Sequence, residues 1–89
     1  MPDNFNLHQN YPNPFNPYTT INFDIPEEAN TVLKIFDTSG KEIAELINSR
    51  FTAGQYSYTW DASKYSSGIY FYTLTSGIYR QSKSMVLIK

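Results

Sequence analysis

Gln9-Asn10-Tyr11-Pro12-Asn13-Pro14-Phe15-Asn16-Pro17 holds three of the five prolines of an 89-residue chain, and what it excludes sets the reading of everything after it. Pro12, Pro14 and Pro17 have no backbone N–H to give to a ladder and disfavour the α region for the residue before them. Tyr11, Asn13 and Asn16 are thereby pushed towards extended or polyproline-like backbone. The segment reads as a stiff strip, neither helix nor regular sheet. Asn10, Asn13 and Asn16 are suited to bond back to nearby main chain, as asparagine does in turns. Tyr11 and Phe15 are the rings that would anchor the strip on a larger apolar body, and residues 19–89 read as that body, with residues 1–18 as leader and strip.

Beyond the strip the period is two. Ile21, Phe23 and Ile25 alternate with Thr20, Asn22 and Asp24 until Pro26, one face buried and one wet. Thr31 to Asp37 is a second strand with Leu33 and Ile35 on one face and Val32 and Phe36 on the other. Asp37-Thr38-Ser39-Gly40 has Asp and Gly at the first and fourth positions of a type I turn, which leads into a strand from Lys41 to Ile47. Asn48 to Gly54 reads as a loop. Gln55 to Trp60 then places Tyr56, Tyr58 and Trp60 on one face, and Asp61 to Gly68 is turn chemistry. Ile69 to Leu74 is apolar on both faces, as in a central strand, and Thr75-Ser76-Gly77 turns into a last strand, Ile78 to Ile88. With a short alternation at Phe5 and Leu7 this makes about seven strands with turn signals every eight to twelve residues. The expectation is an all-β, immunoglobulin-like antiparallel β-sandwich carrying an N-terminal proline-rich extended strip.

Composition removes several functions. Eighty-nine residues make one small core, and without cysteine there is neither a disulfide nor a thiolate metal site. Seven basic against eight acidic residues give a net charge of −1 with no long run of either sign, which argues against nucleic acid as a partner. The stretch Met1 to His8 has no basic region and no apolar region of a signal peptide, and no run approaches the roughly 20 apolar residues of a membrane span. The sequence as written is therefore expected to carry no export signal of its own and no transmembrane segment.

Catalytic chemistry is poorly represented. His8 is the sole histidine and lies in the leader, so a nucleophile–His–acid arrangement would have to be built around it. No acidic loop or His pair of metal-binding spacing occurs, and the expectation is no enzyme, no metal and no cofactor. The aromatic content, 17%, is the candidate for binding. A solvent-exposed face of Tyr56, Tyr58 and Trp60, or of Tyr70 and Tyr72, would stack on sugar rings. The competing reading is that a small sandwich without disulfides needs those rings in its core.

Phe5-Asn6-Leu7-His8 leading into the strip, then Thr20-Ile21 and Ile25-Pro26-Glu27, resembles the opening of the type A C-terminal sorting domain of the type IX secretion system. Leu33-Lys34-Ile35-Phe36-Asp37, Ser39-Gly40-Lys41-Glu42-Ile43, Ala53-Gly54-Gln55-Tyr56, Trp60-Asp61, Ser67-Gly68-Ile69-Tyr70-Phe71-Tyr72 and Lys83-Ser84-Met85-Val86-Leu87-Ile88-Lys89 continue the resemblance in order. One departure is Ser84, where a basic residue commonly precedes the methionine; here Lys83 stands one place earlier. A weaker similarity, to the immunoglobulin-like domain of the flagellar hook cap protein, extends to the strand pattern alone.

The resemblance implies a non-catalytic module excised from a larger exported protein of the Bacteroidota and their relatives, with a cargo domain N-terminal to it. Its implied partners are the type IX outer-membrane translocon and a sortase-like surface peptidase. Its implied itinerary is the periplasm in transit, then the cell surface or the medium. The candidate recognition residues are Gly68, Lys83, Met85, Val86, Leu87 and Lys89, beside the strip Gln9, Asn10, Tyr11, Pro12, Asn13, Pro14, Phe15, Asn16 and Pro17. The alternative is a carbohydrate-binding or adhesive module of a secreted hydrolase.

Overall fold

Alternating burial builds two layers in the computed structural model, which describes residues 3–89. The strands in chain order are β1 (Asn6–Leu7), β2 (Tyr18–Ile25), β3 (Ala29–Phe36), β4 (Glu42–Phe51), β5 (Gly54–Asp61), β6 (Gly68–Ser76) and β7 (Tyr79–Leu87), with no helix among the described residues. They form a three-stranded sheet in the order β1-β2-β5 and a four-stranded sheet in the order β4-β3-β6-β7, every strand pair antiparallel. The expected immunoglobulin-like sandwich is what the alternation produces.

The core lies between the sheets because each strand turns its large apolar residues inward. From one sheet come Leu7, Ile21, Phe23, Ile25 and Trp60; from the other come Leu33, Ile35, Tyr70, Tyr72, Leu74, Met85 and Leu87, all buried. Tyr56 and Tyr58 share the inner face with Trp60 but stay half-buried, since β5 is the last strand of its sheet. Burying a side chain of this size contributes roughly 1.5–3 kcal/mol, so this set supplies most of what opposes chain entropy.

The turns follow their residues. The Gly40 N–H donates to the Asp37 carbonyl at 3.0 Å, while the Asp37 carboxylate accepts from the Ser39 hydroxyl at 2.6 Å and the Lys41 N–H at 3.1 Å. These bonds, the Ser39 hydroxyl foremost, hold the Asp37 carboxyl below its ordinary value. The β6–β7 turn is shorter and later than expected, since Thr75 and Ser76 are strand, paired with Arg80 and Tyr79. Gly77 and Ile78 form its tip, with φ of +58° at Gly77, the glycine-first arrangement of a II′ hairpin, and Ile78 projects 89% exposed.

One further expectation is corrected. The Asn48 to Gly54 loop is largely strand: β4 continues to Phe51 because Asn48, Ser49 and Arg50 pair with Val32, Thr31 and Asn30. Their polarity reflects an edge position, wet on one side, rather than a break. β6 is central in its sheet, yet its second apolar face is uncovered, with Ile69 50% and Phe71 38% exposed.

Candidate functional site

The strip lies against the free edge of β7 and behaves as an incomplete parallel strand. The Phe15 N–H donates to the Val86 carbonyl at 3.0 Å and the Ile88 N–H to the Phe15 carbonyl at 2.9 Å, a parallel bridge centred on Leu87. Elsewhere along the β7 edge, amide side chains stand in for ladder bonds. The Val86 N–H donates to Asn13 Oδ1 at 3.0 Å, Gln9 Nε2 to the Ser84 carbonyl at 2.7 Å, and the Leu7 N–H to Gln81 Oε1 at 2.9 Å. Sequence reasoning assigned the asparagines to nearby main chain. Asn13 instead reaches a strand 73 residues away, its Oδ1 serving as the acceptor that the Val86 N–H would otherwise lack at this edge.

Phe15 anchors the strip as expected: it is 2% exposed, its ring centroid 6.0 Å from that of Trp60. Tyr11 does not. Its main chain pairs in both directions with Thr20 at 2.9 Å, and strand alternation then turns its ring outward, 79% exposed, and Asn10 inward, 2% exposed. Nor is the strip continuously extended. The chain bends at residues 12–14 and 16–17, and all three X–Pro bonds are cis.

Asn10 is satisfied at its N–H and at both polar atoms of its side chain. Its N–H donates to the Tyr72 hydroxyl at 2.8 Å, its Nδ2 to Thr19 Oγ1 at 3.0 Å and to the Pro12 carbonyl at 3.3 Å, and its Oδ1 accepts from Gln9 Nε2 at 2.7 Å. The Tyr72 hydroxyl in turn donates to the His8 carbonyl at 2.8 Å. Tyr72 is fully buried, and burial pushes its phenol up to about 12 although the bond from Asn10 acts the other way. Sequence reasoning missed this network; its one signal was a tyrosine among apolar residues of a central strand, since a buried hydroxyl needs a partner.

The tail residues divide by strand alternation. Met85 and Leu87 are 0% and 1% exposed and belong to the core, Val86 is half-buried on the outer face, and Ile88 and Lys89 are exposed. Lys83 is half-buried and stands opposite Tyr72. The Lys89 N–H donates to Ser67 Oγ at 2.9 Å and its ammonium to the Ser63 carbonyl at 2.5 Å, tying the tail to the β5–β6 loop. In that loop the Ser63 hydroxyl and N–H, then the charges of Lys64 and Lys89, hold the Asp61 carboxyl below its ordinary value. Gly68 opens β6 opposite Leu87 with φ of +157°, a value L side chains rarely adopt.

The aromatic face is internal. Trp60 is 4%, Tyr70 8% and Tyr72 0% exposed, with Trp60 enclosed by the rings of Phe15, Tyr65 and Tyr70, so the sugar-stacking platform is not formed. On the outer face of the three-stranded sheet, His8, Asn22, Asp24, Gln55 and Ser57 line an open polar depression. His8 Nε2 is 3.1 Å from Asp24 Oδ2, but the Ser57 hydroxyl donates to Asn22 Oδ1 rather than to the imidazole, which is not the arrangement of an activated nucleophile. No group of three or more metal-ligating side chains occurs among the described residues.

A family model described as secretion system C-terminal sorting domain matches residues 9–89. No curated protein matches the chain. Two solved structures share the fold. One is PorZ, an essential surface component of the type IX secretion system of Porphyromonas gingivalis, at 22% identity and TM-score 0.66 over 93% of this chain and 11% of that one. The other is dimeric latent PorU from the same organism, at 18% identity and TM-score 0.69 over 99% of this chain and 10% of that one. The chain thus spans about a tenth of the length of either.

Proposed function

The chain belongs to the family of secretion system C-terminal sorting domains, and we infer from that membership that it directs a larger cargo, N-terminal to it, through the type IX machinery to the cell surface or the medium. The single observation that carries this reading is the family match, which runs from the first residue of the strip to Lys89. The domain itself performs no catalysis in this reading. Its cargo crosses the periplasm, the outer-membrane translocon reads the folded domain, and a sortase-like peptidase at the surface separates it from its cargo.

The leader and strip to residue 18 and the sandwich of residues 19–89 act as one body, because strip residues Gln9, Asn13 and Phe15 hold β7 in place. Within the recognition set, Lys83, Val86 and Lys89 supply surface. Met85 and Leu87, buried, keep the strand in register, and Gly68 sets the backbone beside it.

The test is export of a periplasmic fluorescent reporter ending in residues 5–89, in a host with a working type IX system and in a translocon-deficient sibling. Surface or medium fluorescence in the first host alone is the expected result. Retention of a folded reporter in both, while the first host still exports its own cargo, overturns the reading. Lys83→Ala with Lys89→Ala tests the recognition set, the expected outcome being a folded domain with reduced export.

A further inference from the structure

The outer strands of the sandwich leave three long edges, and the protein treats them differently. The β7 edge is occupied by the strip. The β4 edge is broken by register shifts at Leu33/Lys34 and Ile35/Phe36 and carries Glu42, Glu45 and Arg50; bulges and charges of this kind discourage strand pairing. The β5 edge has neither device. Its register against β2 runs without a shift from Tyr18↔Asp61 to Ile25↔Gly54, and no charged residue occurs from Gly54 to Trp60.

The bonding direction of that edge follows from β2. Thr20 exchanges backbone bonds with Tyr11, and the Asn22 carbonyl accepts from His8, so both spend these groups on the side away from β5. In an antiparallel ladder their partners across β5, Thr59 and Ser57, must likewise point away from β2, and Gln55 does so by alternation. β5 has no neighbour on that side, and no main-chain bond of Gln55, Ser57 or Thr59 is made there among the described residues. The side chains continue the pattern: Gln55, Ser57 and Thr59 face solvent, while Tyr56 and Tyr58 turn inward and remain half-buried for want of a strand beyond them.

We propose that the free edge of β5 is a strand-addition site for an extended segment of a partner protein, apolar at the alternate positions that meet Tyr56 and Tyr58 and polar at those beside Gln55, Ser57 and Thr59. Main-chain bonds supply the affinity and the alternation the selectivity, as in other strand additions. The segment is free of proline where it faces β5, since each facing residue must donate as well as accept. The inference is independent of the sorting reading, because its test involves no export.

The probe is a synthetic Thr-Val-Thr-Val-Thr-Val peptide flanked by lysines, added to the full 89-residue chain while amide exchange is followed by NMR. The expected result is saturable slowing at Gln55, Ser57 and Thr59, about tenfold when roughly 90% of the domain is occupied, with Val86 unchanged. The same peptide N-methylated at the residues that face β5 is expected to give no slowing. Ser57→Pro removes an N–H that serves no ladder bond and abolishes the effect while leaving the Trp60 emission of the folded domain. Unchanged exchange at saturating peptide, equal slowing by the methylated peptide or slowing at Val86 in place of β5 would each overturn the proposal. So would slowing that appears with rising protein concentration alone, which would assign the edge to a second copy of the chain.

Discussion

The two flanks of the sandwich pose one physical problem, a row of main-chain donors and acceptors at the end of a sheet, and answer it in opposite ways. On the β7 flank Gln9, Asn13 and Phe15 take up Ser84, Val86 and Ile88. On the β5 flank the outward main-chain groups of Gln55, Ser57 and Thr59 meet no partner among the described residues. The difference shows what the proline strip is for structurally: it is a cover cut to fit one edge, made of residues that bond without needing a ladder.

The largest effect is expected where the cover enters the core. Phe15→Ala should lower unfolding stability by about 3–5 kcal/mol, move Trp60 emission to the red and speed amide exchange at Val86. A loss below about 1 kcal/mol in urea titration would mean that the ring does not hold the strip.

Tyr72→Phe comes next, at about 1–3 kcal/mol, because it leaves the buried Asn10 N–H without its acceptor. It also carries a pH signature. The folded phenol stands at about 12 against an ordinary 10.0, so the folded state favours the neutral form. That contribution is whole below pH 10, and it is lost as pH rises through 10 towards about 12. Urea midpoints measured across this window should fall less steeply in the variant than in the parent.

Asn13→Ala removes one bond at the exposed end of the cover and should cost about 0.5–1.5 kcal/mol. Exchange at Val86 should accelerate while Ser57 and Thr59 stay as they were, which separates the two flanks directly. Tyr11→Ala should change stability by no more than about 0.5 kcal/mol, because the ring is 79% exposed; a large loss would place that ring on the body after all.

The layers were legible in the sequence because a single strand displays its own alternation: Ile21, Phe23 and Ile25 announce a buried face without reference to anything distant. The cover was legible only as stiffness. Its bonds join residues such as Gln9 and Ser84, 75 positions apart, and no local pattern encodes which distant edge an amide will meet. Tyr11 and Asn10 exchanged their expected places for the same reason. Pairing with Thr20 fixed the main chain first, and side-chain direction followed from it rather than from polarity. Asn48, Ser49 and Arg50 read as a loop because an edge strand wet on one side has a loop's composition.

The bond between Asn13 and Val86, 73 residues apart, also sets a clock. A ribosome delivers the strip before the rest of the domain and β7 after it, so while Tyr11 can pair with Thr20 early, Gln9, Asn13 and Phe15 lack their partners until Ser84 to Ile88 have emerged. Met85 and Leu87, which close the core, arrive in the same few seconds at ordinary elongation speeds of about 5–20 residues per second. Contacts this distant in sequence form slowly. The nascent domain therefore stays open through nearly its whole synthesis, and its final strand acts as the latch.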